Sequence, residues 1–172
     1  MIDFDFGVVL GALNSTHADK IREWRNDPRI MRWCRQKDLI SDIEQVRWFE
    51  AQDVDPKIKM YSVFKGSDLI GVCGFTSIDM LARHAEFSLY IAPSFQRKGY
   101  GTKALRTLFK HGFNSLGLEQ IWGEVLEGNP AINTFQGLGM KVDGKRRSVY
   151  FKEGKLWDST LVSILRDEWK MH

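Results

Sequence analysis

The stretch HAEFSLYIAPSFQRKGYGTKAL (84–105) constrains this chain more than any other. A β-rich run, 84–92, is stopped by Pro93, which has no N–H to give a ladder. A basic turn follows with no helix between: Gln96, Arg97, Lys98, Gly99, Tyr100, Gly101. A helical pattern then opens at Thr102, with Ala104, Leu105, Leu108, Phe109 and Phe113 at helical spacing and Gly117 as its stop. Glycines permit positive φ and close approach of a ligand to the backbone. A helix N-terminus presents free N–H groups and the positive end of its dipole, and Arg97 and Lys98 add charge. The turn is thus either a plain glycine-rich helix entry or a seat for a pyrophosphate. A Walker loop is excluded because GxxxxGK[ST] is absent. A Rossmann fingerprint is excluded because no third glycine has the right spacing and the unit lies mid-chain, after hairpins.

The rest of the chain supplies a sheet. FGVVLGAL (6–13) reads as a first strand. STHADKIREWRND (15–27) reads as a helix capped by Ser15 or Thr16, with Pro28 just past its end. SDIEQVRWFEAQ (41–52) opens with Ser41 and Glu44 at capping-box spacing, and Ile43, Val46 and Phe49 fall near one helical face. Residues 59–78 are two β-rich runs around Gly66-Ser67, a hairpin signal. LEQIWGEVLE (118–127) reads as a strand, and 129–140 as a short helix between Asn129 and Gly139. Residues 145–165 form a hairpin turning at Glu153-Gly154. The order β-α-α-β-β-β-α-β-α-β-β predicts a mixed α/β fold, a largely hairpin-connected sheet with helices on its faces. With no repeat or long linker, residues 1–172 read as a single domain.

Charge and composition narrow the function. Lys and Arg number 25 against 22 Asp and Glu, a net charge of +3. That suits a phosphorylated ligand and does not indicate nucleic acid. No apolar run reaches the ~18 residues of a membrane span, and the acidic N-terminus is not a signal peptide, so a cytoplasmic location is expected. Cys34 and Cys73 form no CxxC and read as buried free thiols. His17, His84, His111 and His172 form no HExxH-type pair, so no metal is expected.

Gln96-x-x-Gly99-x-Gly101 after LYIAP resembles the Q/R-x-x-G-x-G/A acetyl-CoA signature of the GNAT superfamily of N-acetyltransferases. The resemblance extends along nearly the whole chain. REWRNDPRI (22–30) is similar to the WRN-type opening of the RimJ/RimL-like branch, and LIGVCGF (69–75) and AEFSLYIAP (85–93) to its central strands. EGNPAINTFQGLGM (127–140) is similar to its N-x-x-A-x-x-x-Y-x-x-x-G-F motif, with Asn129 one position nearer Ala131. GKLWDSTLVSIL (154–165) resembles its closing strand, with Asp158 at the acidic position. The resemblance implies a mostly antiparallel central sheet with splayed central strands. It implies acetyl-CoA held by residues 96–101 (Gln96, Arg97, Lys98, Gly99, Tyr100, Gly101), by Thr102 at the following helix start, and by backbone amides around Leu89, Tyr90 and Ile91. Asn129 and Asn133 lie where polar residues contact the cofactor or brace the strands.

Direct acetyl transfer needs a neutral amine near the thioester carbon and a proton for the leaving thiolate. Period 2 puts Glu86, Ser88 and Tyr90 on one strand face. Glu86 matches a position that serves as base in the superfamily, acting through water, or else it positions the amine. His84 is a weaker candidate. The family's frequent acid, a Tyr, falls on Phe135, which holds no proton; Tyr90 and Tyr150 are the alternatives. Met140 replaces the usual Phe. The acceptor side is expected in the N-terminal helices and C-terminal hairpin. There Trp24 and Trp48 read as core, and Trp33 adds bulk. Lys141, Lys145, Arg146, Arg147, Lys152 and Lys155 form either a solvated face or a basic wall for an acidic partner. Three functions stay open. The first is a RimJ/RimL-like enzyme acting on a protein N-terminus or lysine. The second acts on a small amine (a nucleotide-linked aminosugar, polyamine or antibiotic). The third is a non-catalytic acyl-CoA-binding or RNA-binding module. A homodimer is compatible with each.

Overall fold

Tight hairpins order most of the sheet in the computed structural model, which describes residues 1–169, the side chain of Asp53 excepted; His172 lies outside them. The strands are β1 (Val9–Ala12), β2 (Lys59–Lys65), β3 (Asp68–Asp79), β4 (His84–Ile91), β5 (Gln120–Leu126), β6 (Lys141–Lys152) and β7 (Lys155–Leu165). They lie side by side as β1-β2-β3-β4-β5-β7-β6. Every neighbouring pair is antiparallel except β4 and β5. Glu153 and Gly154 turn β6 into β7 with φ of 54° and 75°, the two positive values a tight hairpin of this twist requires.

The helices are α1 (Ala18–Arg25), α2 (Pro28–Met31), α3 (Asp42–Val54), α4 (Tyr100–Asn114) and α5 (Ala131–Gly137). Helix α4 crosses from β4 to β5 and buries Ala104, Leu105, Leu108, Phe109 and Phe113 in the larger core with Ile70, Phe75 and Ile121. On the opposite face Ile21, Met60, Leu69 and Val72 pack with Trp24, Trp48, Phe49 and Tyr90. Neighbours Met60 and Tyr61 enter different clusters, as strand alternation requires.

Three local expectations change. The cap before α1 is Asn14, whose Oδ1 accepts from the Thr16 amide at 2.9 Å and opens a 3₁₀ turn, rather than Ser15 or Thr16. Pro28 does not merely follow a helix; it sits at the first position of α2, with Asp27 as cap. The Ser41–Glu44 capping box forms, but α3 turns a different face inward. Ile43 and Val46 are exposed and Gln45 is buried, because Trp48 and Phe49 anchor the helix to the sheet.

β4 and β5 are paired only at His84–Gln120, Ala85–Ile121 and Glu86–Trp122. The next facing pair is Phe87 and Gly123. A Cβ on Gly123 would stand 2.3 Å from the Phe87 ring, so that ring occupies the space a side chain would need. The ring is held by edge contacts with Phe109 and Phe135, centroids 5.6 and 4.9 Å away. The ladder ends at this wedge, and the strands splay beyond it. Replacing Gly123 with Ala must therefore expel the ring. The variant is expected to lose about 1–3 kcal/mol, read as a lower urea midpoint at unchanged m-value.

Candidate active site

The splay leaves one edge of β4 unpaired. The Ala92 amide donates to Ile70 O at 2.8 Å, which sets the parity of the β3–β4 ladder. Counting back, the Leu89 and Ile91 amides point away from β3 into the cleft, whereas Tyr90 turns its amide to β3 opposite Val72. Of the three amides expected at the open edge, two are there. Gln96 Nε2 donates to Ile91 O at 2.9 Å and ties the glycine turn to the strand end.

In that turn Arg97 and Gly99 are left-handed, with φ of 58° and 78°. Helix α4 starts at Tyr100, two residues before Thr102, with Gly99 as its cap. Its first bond runs from Lys103 N–H to Gly99 O at 3.2 Å, so the helix does not use the Tyr100, Gly101 and Thr102 amides. An added Cβ at Gly101 would meet nothing nearer than Leu89 Cδ2 at 3.5 Å, an ordinary contact. The fold itself does not demand glycine there. Free amides, the dipole end and exposed Arg97 suit an anion. The Lys98 ammonium instead donates to Ser94 O at 2.8 Å. With the open amides of β4, these groups fit the pyrophosphate and pantetheine of acetyl-CoA.

The opposite mouth of the splay is a cleft of about 350 Å³ between the arms of β4 and β5 and the helical layer above. Glu86 projects into it from β4, with Thr76 Oγ1 at 3.4 Å. Facing it is Glu124 of β5, which sequence reasoning missed. Period 2 along LEQIWGEVLE would have found it, since Trp122 and Glu124 share a face. Glu124 accepts from Tyr150 Oη at 2.7 Å, Arg146 Nη1 at 2.8 Å, Arg35 Nη2 at 3.0 Å and Ser159 Oγ. Arg35 is the second residue the sequence did not reveal. Its guanidinium also binds Glu86, through Nη2 to Oε1 and Nη1 to Oε2 at 3.2 Å. Burial alone would raise the Glu124 carboxyl, but Ser159, Tyr150 and the two arginines outweigh it and hold it below its usual range.

The other named residues divide. Tyr90 lines the cleft with its hydroxyl buried and without a partner, and burial pushes its pKa up. Tyr150 commits its hydroxyl to Glu124, and burial with that bond raises its pKa. Phe135 lines the cleft against Phe87. Asn129 borders it but uses Oδ1 on the Ala131 amide at 3.0 Å, and Asn133 is exposed on α5. His84 stays at the start of β4, outside the cleft. Cys34 is half-buried on the wall rather than fully buried. The described residues contain no cluster of His, Cys, Asp or Glu able to hold a metal, and no helix among them is long and apolar enough to cross a membrane.

The basic hairpin is largely spent within the molecule. Lys145 pairs with Glu127 and Asp158, Arg146 with Glu124, and Lys141 with Glu168. Lys155 lies over the Trp157 ring at 4.0 Å. Lys152 Nζ donates to the carbonyls of Met31, Arg32 and Cys34, and so fastens the segment that carries Arg35. These contacts leave little free charge for a basic wall.

Because the folded Glu124 carboxyl ionises at lower pH than the unfolded one, its share of stability is present above the unfolded pKa of about 4.3. That share is lost as pH falls through the folded value. Glu124→Gln is expected to cost about 2 kcal/mol near pH 7 and to flatten the acid limb of stability against pH. Denaturant melts between pH 3 and 7 would measure both effects.

Comparison with known proteins bears on the family and the fold. A family model for the acetyltransferase (GNAT) domain matches residues 8–141. Acetyltransferase PseH of Campylobacter jejuni is 30% identical over 125 residues, covering 72% of this chain and 76% of that protein. An uncharacterized N-acetyltransferase, p20 of Bacillus licheniformis, is 25% identical over 169 residues, covering 94% of each. The crystal structure of spermidine N-acetyltransferase from Vibrio cholerae in complex with CoA and spermine superposes with a TM-score of 0.90 at 24% identity, covering 95% of this chain and 98% of that one. The chain belongs to the GNAT acetyltransferases, N-acetyltransferase enzymes that draw on acetyl-CoA.

Proposed function

We propose that the chain acetylates the primary amine of a small acceptor whose body is anionic, a nucleotide-linked aminosugar being the class that fits best. One observation carries this reading: every carboxylate in the cleft is already matched by arginine. Glu86 and Glu124 share Arg35, Glu124 also holds Arg146, and Arg25 stands in the same wall. A polycation would find no spare negative charge. Arginine forks suit phosphate, and Trp33 and Trp48, with Arg32 and Arg25 lying over their rings, add aromatic surface to the cleft wall. The WRN-type opening keeps the chain within the RimJ/RimL-like branch in this reading, with a small acceptor in place of a protein. A polyamine acceptor is the second reading, favoured by the likeness to the Vibrio spermidine enzyme.

Acetyl-CoA supplies an activated acetyl thioester. The Leu89 and Ile91 amides would bind along it at the open edge, and an amide aimed at the carbonyl oxygen would stabilise charge developing there. The Tyr100, Gly101 and Thr102 amides with Arg97 would take the pyrophosphate. Glu86 would accept the amine proton through water. Of the two phenols named from the sequence, Tyr90 keeps an unspent hydroxyl proton in the cleft and is the candidate acid.

Thiol release tests the acceptor. With acetyl-CoA as donor, kcat/KM on a nucleotide-linked aminosugar should exceed that on spermidine or an N-terminal peptide by at least about tenfold, ~1.4 kcal/mol. Preference for spermidine would favour the second reading. Glu86→Gln should lower kcat by about 10²-fold at neutral pH with little change in KM for acetyl-CoA. The loss should shrink as pH approaches the amine pKa; a pH-independent loss would make Glu86 a positioning group. Gly101→Ala separates binding from folding. It should leave stability unchanged or raise it by about 0.5 kcal/mol, since alanine suits a helix better, yet weaken acetyl-CoA binding by at least about tenfold. Unchanged affinity by calorimetry would sink the turn as the pyrophosphate seat.

A further inference from the structure

Arg35 stands between two carboxylates, and the three groups differ in freedom. The side chains of Glu86 and Glu124 are 9% and 3% exposed, each fixed on a strand, whereas that of Arg35 is 48% exposed. Arg35 also rises from the irregular stretch between α2 and α3, fastened upstream by Lys152. Of the three, only the guanidinium has somewhere to go. Its departure would leave buried Glu86 with no cation and Glu124 with Arg146 alone across the splay, a costly arrangement that a new cation must relieve. The freed guanidinium would in turn need an anion, beside Arg25 and Trp33 in the same wall.

We infer that Arg35 is a stand-in cation: it holds the acceptor ammonium's place between Glu86 and Glu124 and yields it only to a ligand that offers its own anion in exchange. This deepens the acceptor reading above and rests on it. A ligand with both charges replaces the two Arg35 ion pairs with those of its ammonium and adds one between its anion and the freed guanidinium, leaving nothing unpaired. A simple amine evicts Arg35 without compensation, so it binds poorly. Selectivity for anion-bearing amines would then come from the contact that closes the resting site, a form of negative selection.

The matched probes are ethanolamine and O-phosphoethanolamine, titrated into the full chain and followed by tryptophan fluorescence, with no dependence on turnover. Wild type should bind O-phosphoethanolamine at least about tenfold tighter than ethanolamine. Arg35→Ala should bring the ratio near one, gaining ethanolamine affinity and losing O-phosphoethanolamine affinity. Arg35→Lys should keep the preference. Arg35→Gln, which keeps length and loses charge, repeats the test if the alanine variant does not fold. In the Arg35→Ala background, Glu124→Gln should abolish the gain for ethanolamine. An unchanged ratio, weaker ethanolamine binding in Arg35→Ala, or no binding of either probe to wild type would overturn the inference. Failure of the acceptor reading appears elsewhere, as turnover on spermidine and none on the nucleotide-linked aminosugar.

Discussion

The contact between the Phe87 ring and the bare backbone of Gly123 is the constraint on which the site depends. Parallel strands normally continue their ladder until one of them ends. Here it stops with both strands still running, because an aromatic ring fills the place of the next side chain. Everything the site uses follows from that interruption: the Leu89 and Ile91 amides lose their partner, a cleft opens, and Glu86 and Glu124 come to face each other across it. The ring in turn leans on Phe109 and Phe135, so the core under α4 and α5 sets the shape of the mouth. Phe135 illustrates the exchange. The sequence resemblance places a tyrosine at this position; the residue present has no hydroxyl and its ring packs against Phe87.

Arg35 then closes electrically what the wedge opens sterically. β4 and β5 have no backbone bonds beyond Glu86–Trp122, yet a single guanidinium ties their carboxylates together. Lys152 fixes the segment between α2 and α3 that delivers it, and Tyr150, Ser159 and Arg146 hold Glu124 from the β6–β7 side. The C-terminal hairpin is thus part of the cleft wall. Arg146 and Lys152 are consumed in that wall, and Lys141 and Lys145 pair with acids elsewhere, so most of the run of lysines and arginines does not become a free basic surface.

Much of the fold was legible because it is local. The Gly66 and Glu153-Gly154 turns, the Ser41–Glu44 capping box and the periodicity of α4 each depend on residues a few positions apart. The same locality misled at α3. Ile43, Val46 and Phe49 lie near one helical face, but Trp48 and Phe49 decide which way the helix turns, and Gln45 is buried in their place. Asn14 and Asp27 were overlooked as caps because stronger-looking signals, Ser15, Thr16 and Pro28, stood beside them.

The sequence by itself determined the strand, the glycine turn and the helix that follows it, since these are neighbours in the chain and glycine's freedom at position 99 is a property of one residue. It also placed Glu86 on the correct strand face. Only the tertiary structure decided what Glu86 meets. Arg35 is 51 residues from it and 89 from Glu124, and no periodicity or spacing records such a meeting. Charges that far apart in the chain are brought together by packing, and their partners settle whether a carboxylate is free, matched or held in reserve.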